Sequence, residues 1–567
     1  MAGSSTTTLF TNGKVFLSGV EPGTNPLPAQ PPTFAESILI RDSAIAFVGP
    51  SDSPTVKDAL ASGTTTVVDL AGKTVLPGFI DGHMHLMLLG QSLQKLDLCH
   101  CKNLADIQTA IRDHAAANPD LPRVLCRGWM HSMTPDGVTA RDLDDLDPLG
   151  RPVLIDTKDL HSTWANTPAI ADLGADAWPD ITGGVIERDA AGRPTGVFSE
   201  AANITFVWPY LTAVSTLAER TAAIRAAVSA YHAEGYTGMI DMAMDEGAWE
   251  ALQETAATTV EDRLPMRVAA YWLIKPKDTD EENLCQVERA AELAALHNSR
   301  TSPDCRIVGI KVICDGIIDA CTAGLTEPYL SNGASPMPLW KRELLEPVVR
   351  RATELGLQIS LHAIGDATIT MAADLLEAHA SRAHRPRMEH IELPSSRDAA
   401  RLGALGITAS IQPVHADPAI LRAWPRLLGP ERCKRAFPYR EFADGGAPLA
   451  LGSDSPTAPH APLGNLYVGT TRRSYREPEY ETTVNAHFAL GLCEAVAAAT
   501  EGAAYSCFDE GRTGRLAEGL KADFVVVDMQ WEKTKLMEGR IKQTWFDGKK
   551  VWDSEDGEMG LNACDYN

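Results

Sequence analysis

The chain has 567 residues, 44% apolar and 22% charged, a composition that favours a folded globular protein over a disordered one. Its formal charge of −24 would repel phosphate backbones, so neither nucleic acids nor anionic membranes are expected partners. No signal-peptide pattern opens the sequence, and no stretch is apolar enough to span a bilayer.

Short strands bounded by turns occupy both ends of the sequence. They cover residues 9–17, 37–49 and 65–70 near the start, and residues 521–528 and 543–552 near the end. Asp547-Gly548 is the turn signal of the last pair. Because the two ends share this character, we predict one small composite β domain from residues 1–70 and 510–567.

Between these ends, apolar β-rich runs alternate with helix-like segments, as in a parallel sheet covered by helices. One such segment, residues 281–297, has apolar residues at helical spacing. The candidate strands are residues 75–83, 236–242, 266–273, 308–315, 357–362, 387–391, 407–412 and 449–454. Eight parallel strands with crossovers predict an α/β fold, a (β/α)₈ TIM barrel within residues 71–509.

One interval, residues 86–231, is far longer than a normal strand-to-helix connection. It contains its own helical segments, turns and tryptophans. We therefore predict a subdomain inserted after the first barrel strand, over the barrel mouth.

Histidine and aspartate residues stand where the predicted barrel strands end. Strand carboxyl ends meet on one face of a barrel, so residues far apart in sequence can form one catalytic set there. A lone buried histidine is more often a hydrogen-bonded core residue than a ligand, but packing alone hardly explains so many. The candidate metal ligands are His83, His85, His362, His390 and Asp454, with Lys311 inside a further strand.

These side chains suit catalytic Zn²⁺, which binds imidazole and carboxylate and keeps one position open for water. The period of two in a strand places His83 and His85 on the same side. The ion would lower the pKa of its water toward about 7, and Asp454 could take the proton and return it to the leaving group. Asp454 and His390 are the candidate catalytic residues.

Several motifs together resemble the amidohydrolase superfamily, specifically the YtcJ-like or N-substituted formamide deformylase-like branch, amidohydrolase family 3. The resemblance covers nearly the whole chain. Its matching pieces are residues 76–85, 184–196, 310–316, 362–366, 389–390, 412–413, 452–454 and 519–523.

The resemblance implies a composite β-sandwich domain from both termini, a barrel, and hydrolysis of an amide or another non-peptide C–N bond. His83 and His85 match the family's first-strand ligands. His362 and His390 match its fifth-strand and sixth-strand ligands. Asp454 matches the eighth-strand base and ligand.

Lys311 matches the fourth-strand position, where related enzymes carry a carboxylated lysine that bridges two metals. A free ammonium has no lone pair, so Lys311 binds metal only if it is modified or deprotonated. Otherwise it would pair with Asp315 or with an acidic group of the substrate. The sequence leaves open whether the site binds one metal ion or two.

Other residues are candidates for substrate binding, since aromatic surface and polar donors occur together in small-molecule sites. Core packing is the alternative for the tryptophans, and a simple loop position is the alternative for His415. The candidates are Trp129, His131, His161 and Trp164 in the insertion, and Asp315, Gln412 and His415 after barrel strands.

The leading hypothesis is metal-dependent hydrolysis of a formamide, N-acyl amide or cyclic amide in a small molecule. One barrel fold hosts many chemistries, so a non-hydrolytic decarboxylase, isomerase or cyclase is the rival. A scaffold with a relic pocket is a third hypothesis, which the intact ligand set disfavours.

Eleven cysteines, mostly in apolar surroundings, indicate a reduced, cytoplasmic protein, and a homodimer is the expected assembly.

Overall fold

The structure is a computed structural model that describes residues 6–158, 162–181, 184–200, 202–259 and 263–555, with only the backbone of residue 204. The strands are, in chain order, β1 (Thr7–Thr11), β2 (Lys14–Leu17), β3 (Thr33–Ala35), β4 (Ser37–Arg41), β5 (Ala44–Gly49), β6 (Thr66–Asp69), β7 (Thr74–Pro77), β8 (Phe79–Met84), β9 (Leu96–Asp97), β10 (Val124–Trp129), β11 (Val153–Thr157), β12 (Ser162–Ala165), β13 (Gly184–Arg188), β14 (Pro194–Glu200), β15 (Tyr236–Met244), β16 (Arg267–Ile274), β17 (Cys305–Ile313), β18 (Gln358–Ala363), β19 (Arg387–His390), β20 (Thr408–Ile411), β21 (Leu449–Leu451), β22 (Phe524–Asp528), β23 (Arg540–Phe546) and β24 (Lys549–Asp553).

The α-helices are α1 (Pro54–Ala61), α2 (Leu86–Leu93), α3 (Leu104–Ala117), α4 (Arg141–Asp144), α5 (Thr167–Leu173), α6 (Trp208–Val214), α7 (Leu217–Ala233), α8 (Glu246–Ala257), α9 (Asp280–Leu296), α10 (Arg342–Glu354), α11 (Asp366–His379), α12 (Ser396–Leu405), α13 (Trp424–Leu428), α14 (Pro430–Cys433), α15 (Tyr439–Asp444), α16 (Pro462–Thr471), α17 (Leu492–Ala497) and α18 (Ala503–Ser506). Helix α9 is the one predicted over residues 281–297. It begins where the side chain of Thr279 accepts a hydrogen bond from the Glu282 backbone N–H. Within the described residues, no helix combines the length and the apolar character needed to cross a bilayer.

Eight parallel strands form one sheet in the order β8-β15-β16-β17-β18-β19-β20-β21, which confirms the predicted α/β barrel. Backbone hydrogen bonds join the carboxyl end of its first strand, β8, to the loop after its last strand, β21. Asp454 N–H donates to the His83 carbonyl at 2.7 Å, and His85 N–H donates to the Ser455 carbonyl at 2.9 Å. Residues of the candidate site therefore also bridge the two edges of this sheet.

The first predicted strand, residues 75–83, is wrong as one element, because two strands in different sheets replace it. Strand β7 pairs with β2 and β22, whereas β8 is the first barrel strand. The break lies at Gly78, where any Cβ would collide with the side chain of Thr237. A continuous apolar run concealed this change of sheet.

Strands from both ends of the chain pair in one six-stranded sheet, in the order β24-β23-β22-β7-β2-β3. A second sheet has the order β5-β4-β1-β6, and one apolar core includes Phe10 from it and Phe524 from the first sheet. Their rings contact edge to face, with centroids 5.2 Å apart. The description as a separate β sandwich bounded at residues 70 and 510 stays a prediction.

The chain divides into two compact units. The first comprises Met1–Leu86, Val228–Glu246 and Thr255–Asn567, and the second comprises Met87–Ala227 and Gly247–Glu254. The second unit has its own sheet, in the order β13-β14-β12-β11-β10-β9, and its own buried apolar clusters. The predicted insertion limits, residues 86 and 231, and its place over the mouth stay predictions.

Candidate metal centre

Four histidine rings meet where the barrel strands end. His83 lies in β8, His362 in β18, and His390 is the last residue of β19. Ring centroids are 4.8 Å apart for His83 and His390, and 4.4 Å apart for His362 and His390. His85 lies just beyond β8, with its ring centroid 5.5 Å from that of His83. The structure thus brings together side chains from three non-adjacent parts of the sequence.

Asp454 joins this cluster from the loop after β21. Its Oδ1 lies 2.9 Å from His85 Nε2 and 3.4 Å from His83 Nε2. His83, His85 and Asp454 offer ligand atoms that all lie within 4.8 Å of one another, the spacing of a candidate metal site. Burial alone would raise the pKa of Asp454, but the hydrogen bond with His85 holds that pKa well below its usual range.

The backbone bends sharply at the site. Asp454, His390 and Ile391 have φ values of 59°, 74° and 52°, in the left-handed region that residues other than glycine rarely adopt. Such conformations cost on the order of 1–3 kcal/mol each and persist where the surroundings enforce them. Here Asp454 N–H is held by the His83 carbonyl, and Ile391 N–H donates to the Ala363 carbonyl at 3.1 Å.

Buried imidazole nitrogens at the site lack hydrogen-bond partners among the described residues: His83 Nε2, His85 Nδ1, His362 Nε2 and His390 Nδ1. Each unsatisfied buried polar atom costs roughly 1–3 kcal/mol, so four in one place require an explanation. Burial lowers the pKa of His83 to about 4 and that of His362 to about 3. Neutral imidazoles keep a lone pair for a metal ion. These donors fit a divalent cation.

Glu389 determines which nitrogen of His83 faces the site, and the sequence did not single it out. His83 Nδ1 lies 2.7 Å from Glu389 Oε2, while Arg387 and Ser360 donate to Oε1 at 2.9 and 2.7 Å. Burial alone would raise the pKa of Glu389, but Arg387 and His83 hold it well below its usual range. A signal was present in the sequence, since Arg387 and Glu389 are charged residues inside a strand that is buried throughout, and such charges must be paired.

Asp81 is a second residue whose role the sequence did not reveal. Its carboxylate accepts hydrogen bonds from Ser453 N–H at 2.9 Å, Ser453 Oγ at 2.6 Å, Tyr231 OH at 2.8 Å and His83 N–H at 3.1 Å. These contacts tie β8 to the residue before Asp454. Burial raises the pKa of Asp81 to about 6.

Lys311 lies buried in β17, and desolvation lowers its pKa to about 8. The proposed pairing with Asp315 is wrong for this structure. Asp315 instead accepts backbone N–H groups from Gly324, Ile364 and Gly365, each at 3.0 Å. Asp315 Oδ1 also lies 3.4 Å from His362 Nε2, and burial raises the pKa of Asp315 to about 6. Carboxylation of Lys311 stays a prediction.

His415 and Glu392 form a further group with His390, in which ligand atoms lie within 4.8 Å of one another. His415 Nδ1 lies 3.4 Å from Glu392 Oε1, and His415 Nε2 lies 3.6 Å from Asp454 Oδ2. Burial alone would lower the pKa of His415, but Glu392 and Asp454 raise it. Sequence reasoning missed Glu392, although it stands two residues after His390. Gln412, after β20, is 2% exposed.

The candidates in the second unit are placed differently. Trp129 and Trp164 are buried in its apolar core, and their indole N–H groups donate to Thr134 Oγ1 and to the Thr139 carbonyl. His131 is exposed, with its ring 4.5 Å from that of Trp129. His161 lies outside the described residues. Core packing accounts for both tryptophans, and a role in substrate binding stays a prediction.

Comparison with known proteins gives consistent matches along the chain. The model of a family described as "Amidohydrolase family" matches residues 66–552. The YtcJ protein of Bacillus subtilis is 28% identical over 91% of this chain and 96% of its own length. The N-substituted formamide deformylase of Arthrobacter pascens is 24% identical over 91% of this chain and 94% of its own. A solved structure of an uncharacterized metal-dependent hydrolase from Pyrococcus furiosus covers 92% of this chain and 98% of its own, at TM-score 0.74 and 24% identity, which supports the fold.

Proposed function

Because the chain belongs to the amidohydrolase family, we propose that it is a metal-dependent hydrolase that cleaves a C–N bond of a small amide. The observation that carries this proposal is the set of buried imidazole nitrogens without partners beside the carboxylate of Asp454. The name of the Arthrobacter relative, a formamide deformylase, points to the same type of bond. Formamides, N-acyl amines and cyclic amides are the substrate classes we propose.

His83, His85 and Asp454 would hold the ion, and His362 and His390 would complete the set from neighbouring strands. Nitrogen donors with one carboxylate favour Zn²⁺ over Mg²⁺, which prefers oxygen ligands. A bound divalent ion would supply Lewis acidity and lower the pKa of water at the site. Lys311 would join the ligands only as a carboxylated residue, and would then bridge two ions.

Asp454 is the residue we assign as general base and acid. Its depressed pKa keeps it ionised at neutral pH, ready to accept a proton from attacking water. The proton then passes to the leaving nitrogen as the C–N bond breaks and a C–O bond forms. Arg387 and Glu389 hold the His83 ring, while His390 is the second residue that we assign to the reacting centre.

Turnover in ¹⁸O-labelled water tests the hydrolysis. The metal-loaded protein is incubated with N-substituted formamides, N-acetyl amines and lactams, and the masses of the products are measured by mass spectrometry. One ¹⁸O atom per product carboxylate supports the proposal. Turnover without label contradicts it and favours the decarboxylase, isomerase or cyclase.

Substitution tests the base. Asp454→Asn should lower kcat by about 10²–10⁴-fold, the usual contribution of a positioned proton acceptor. The exposed Asp528→Asn is the matched control and should retain activity. Activity of Asp454→Asn within a few-fold of the wild type would remove Asp454 from this role.

Three broader features are also proposals. A small-molecule substrate, a cytoplasmic location and a homodimer follow from composition and family character. Cell fractionation tests the location, and light scattering tests the assembly.

A further inference from the structure

Gln412 is a buried amide side chain without a hydrogen bond. Only 2% of the residue is exposed, and neither Oε1 nor Nε2 has a hydrogen-bond partner in the described part of the chain. A buried carboxamide left in this way forfeits roughly 1–3 kcal/mol for each unsatisfied atom. Native proteins seldom leave such a group open unless a ligand or water pairs with it.

The other buried Asn and Gln side chains of the described residues are treated differently. Asn465 Nδ2 donates to the Gly452 carbonyl at 2.8 Å, and its Oδ1 accepts from Val414 N–H at 3.0 Å. Gln358 accepts from Tyr271 OH and donates to the carbonyls of Arg385 and Ser506. The remaining members, each with at least one hydrogen bond, are Asn166, Asn203 and Asn283. Gln412 is thus an exception within this set.

The strand geometry indicates where the Gln412 side chain points. Two residues earlier, Ser410 Oγ accepts a hydrogen bond from Arg387 at 3.0 Å, and the same guanidinium nitrogen donates to the Gly82 carbonyl at 2.7 Å. Arg387 therefore reaches from β19 to β8 through the barrel interior. Gln412 immediately follows β20, and we infer its direction by continuing the alternation of the strand for one residue, which puts it on the same interior face as Ser410, nearer the carboxyl end.

We propose that Gln412 is a specificity-determining residue that pairs with a substrate amide whose C=O and N–H lie on the same side, as in a lactam. A carboxamide offers a donor and an acceptor side by side, and a syn amide edge matches both at once. Open-chain secondary amides are trans, so their N–H and C=O point in opposite directions. Turning one to cis costs about 2.5–4 kcal/mol. The inference rests on the proposed function and narrows its substrates to amides with an N–H syn to the C=O, which among N-substituted amides means cyclic amides.

Three small probes separate these geometries: 2-pyrrolidinone has a syn N–H and C=O, N-methyl-2-pyrrolidinone lacks the N–H, and N-methylacetamide is trans. Their binding to the protein is measured by ligand-observed NMR. We expect 2-pyrrolidinone to bind at least tenfold more tightly than either comparison probe. Equal affinities, as expected if only water pairs with Gln412, would overturn the proposal.

Gln412→Met should abolish this discrimination, because methionine has similar length but neither amide atom. It should also leave Tm unchanged or raise it, since no hydrogen bond is lost. Gln358→Met is the matched control, which should lower Tm and retain the discrimination. Retained discrimination in Gln412→Met, or a loss of Tm equal to that of Gln358→Met, would contradict the proposal. Binding is read without turnover, so the result does not depend on whether the protein hydrolyses amides.

Discussion

The tautomer of His83 is set by a residue 306 positions away in the sequence. Glu389 accepts from Nδ1, which leaves Nε2 with its lone pair facing the site, and Arg387 keeps Glu389 ionised. Metal-bound histidines commonly depend on such a partner for orientation and basicity. The strength of the proposed metal centre should therefore depend on Glu389 as well as on the ligands.

Glu389→Gln should weaken metal binding about 10–100-fold, because the neutral amide supports the imidazole poorly. Ser360→Ala removes one hydrogen bond to Glu389 Oε1 and should have a smaller effect. Competition with a chromophoric chelator measures both affinities, after circular dichroism has shown that each variant folds. Unchanged affinity in folded Glu389→Gln would show that the contact with His83 does not matter for the metal.

Glu234 lies between α7 and β15, outside the candidate metal centre, and its ionisation predicts how the free energy of unfolding depends on pH. Burial raises the pKa of Glu234 to about 7, from 4.5 in its ordinary state. The unfolded chain thus loses this proton at lower pH than the folded chain does. Glu234 therefore lowers the free energy of unfolding progressively as pH rises from 4.5 to about 7, and the full penalty remains above that range.

Glu234→Gln stays neutral, so it should raise the free energy of unfolding at pH 8 and change it little at pH 4. Urea unfolding at both pH values measures the difference. Exposed Glu518→Gln is the control and should show no such pH dependence. A Glu234→Gln effect of equal size at both pH values would assign it to packing rather than to charge.

Motif and strand position brought the four histidines and Asp454 to attention from the sequence. Their neighbours Asp81, Glu389 and Glu392 escaped because each acts through a partner brought close only by folding. Lys311 and Asp315 show the reverse error, since nearness in sequence suggested a pair. In the structure, the Asp315 carboxylate instead accepts hydrogen bonds from three backbone N–H groups.

At the scale of elements, a buried ionic network joins the terminal strands to the start of a barrel strand. Arg267, the first residue of β16, donates to Asp523 at 2.8 Å and to Asp547 at 2.7 Å, and also to Asp304. Arg267, Asp523 and Asp547 are each less than 5% exposed. Removing one partner of a buried ion pair leaves the other charge uncompensated, at a cost of about 3–5 kcal/mol.

Arg267→Met should therefore lower the free energy of unfolding by about 3–5 kcal/mol, as measured by chemical denaturation. Burial alone would raise the pKa of Asp547, but Arg267 and Arg263 hold it at about 2. This contribution is complete above pH 3.8 and is lost as pH falls toward 2, so the difference between variant and wild type should shrink in acid. Arg263→Met, at a more exposed side chain, should cost less. Equal losses would contradict the assignment.

The sequence predicted most elements because apolar runs and turn residues mark them locally. It failed at the first barrel strand, where residues 75–83 read as one run. The two strands differ in their partners, since β7 pairs with β2 and β22 whereas β8 pairs with β15. The partner β22 is several hundred positions away from β7, and no local pattern contains that pairing.

At the scale of the molecule, the metal would bind side chains at the carboxyl ends of the first, fifth and sixth barrel strands and in the loop after the eighth. Removing the ion by chelation and dialysis should lower Tm. A ligand whose free concentration is 100 times its dissociation constant stabilises the folded state by about 2.7 kcal/mol. Calorimetry before chelation, after it and after Zn²⁺ is restored measures the effect. Elemental analysis must show that the ion has left; an unchanged Tm would then argue against a metal that links the strands.

The pairing of β7 with β22 also has a consequence for synthesis on the ribosome. About 450 residues separate these neighbouring strands. At a translation rate of about 5–20 residues per second, β7 waits roughly 20–90 s for its partner. During that interval its open edge is a surface on which chaperones could act, and premature pairing with another nascent chain would compete with correct folding.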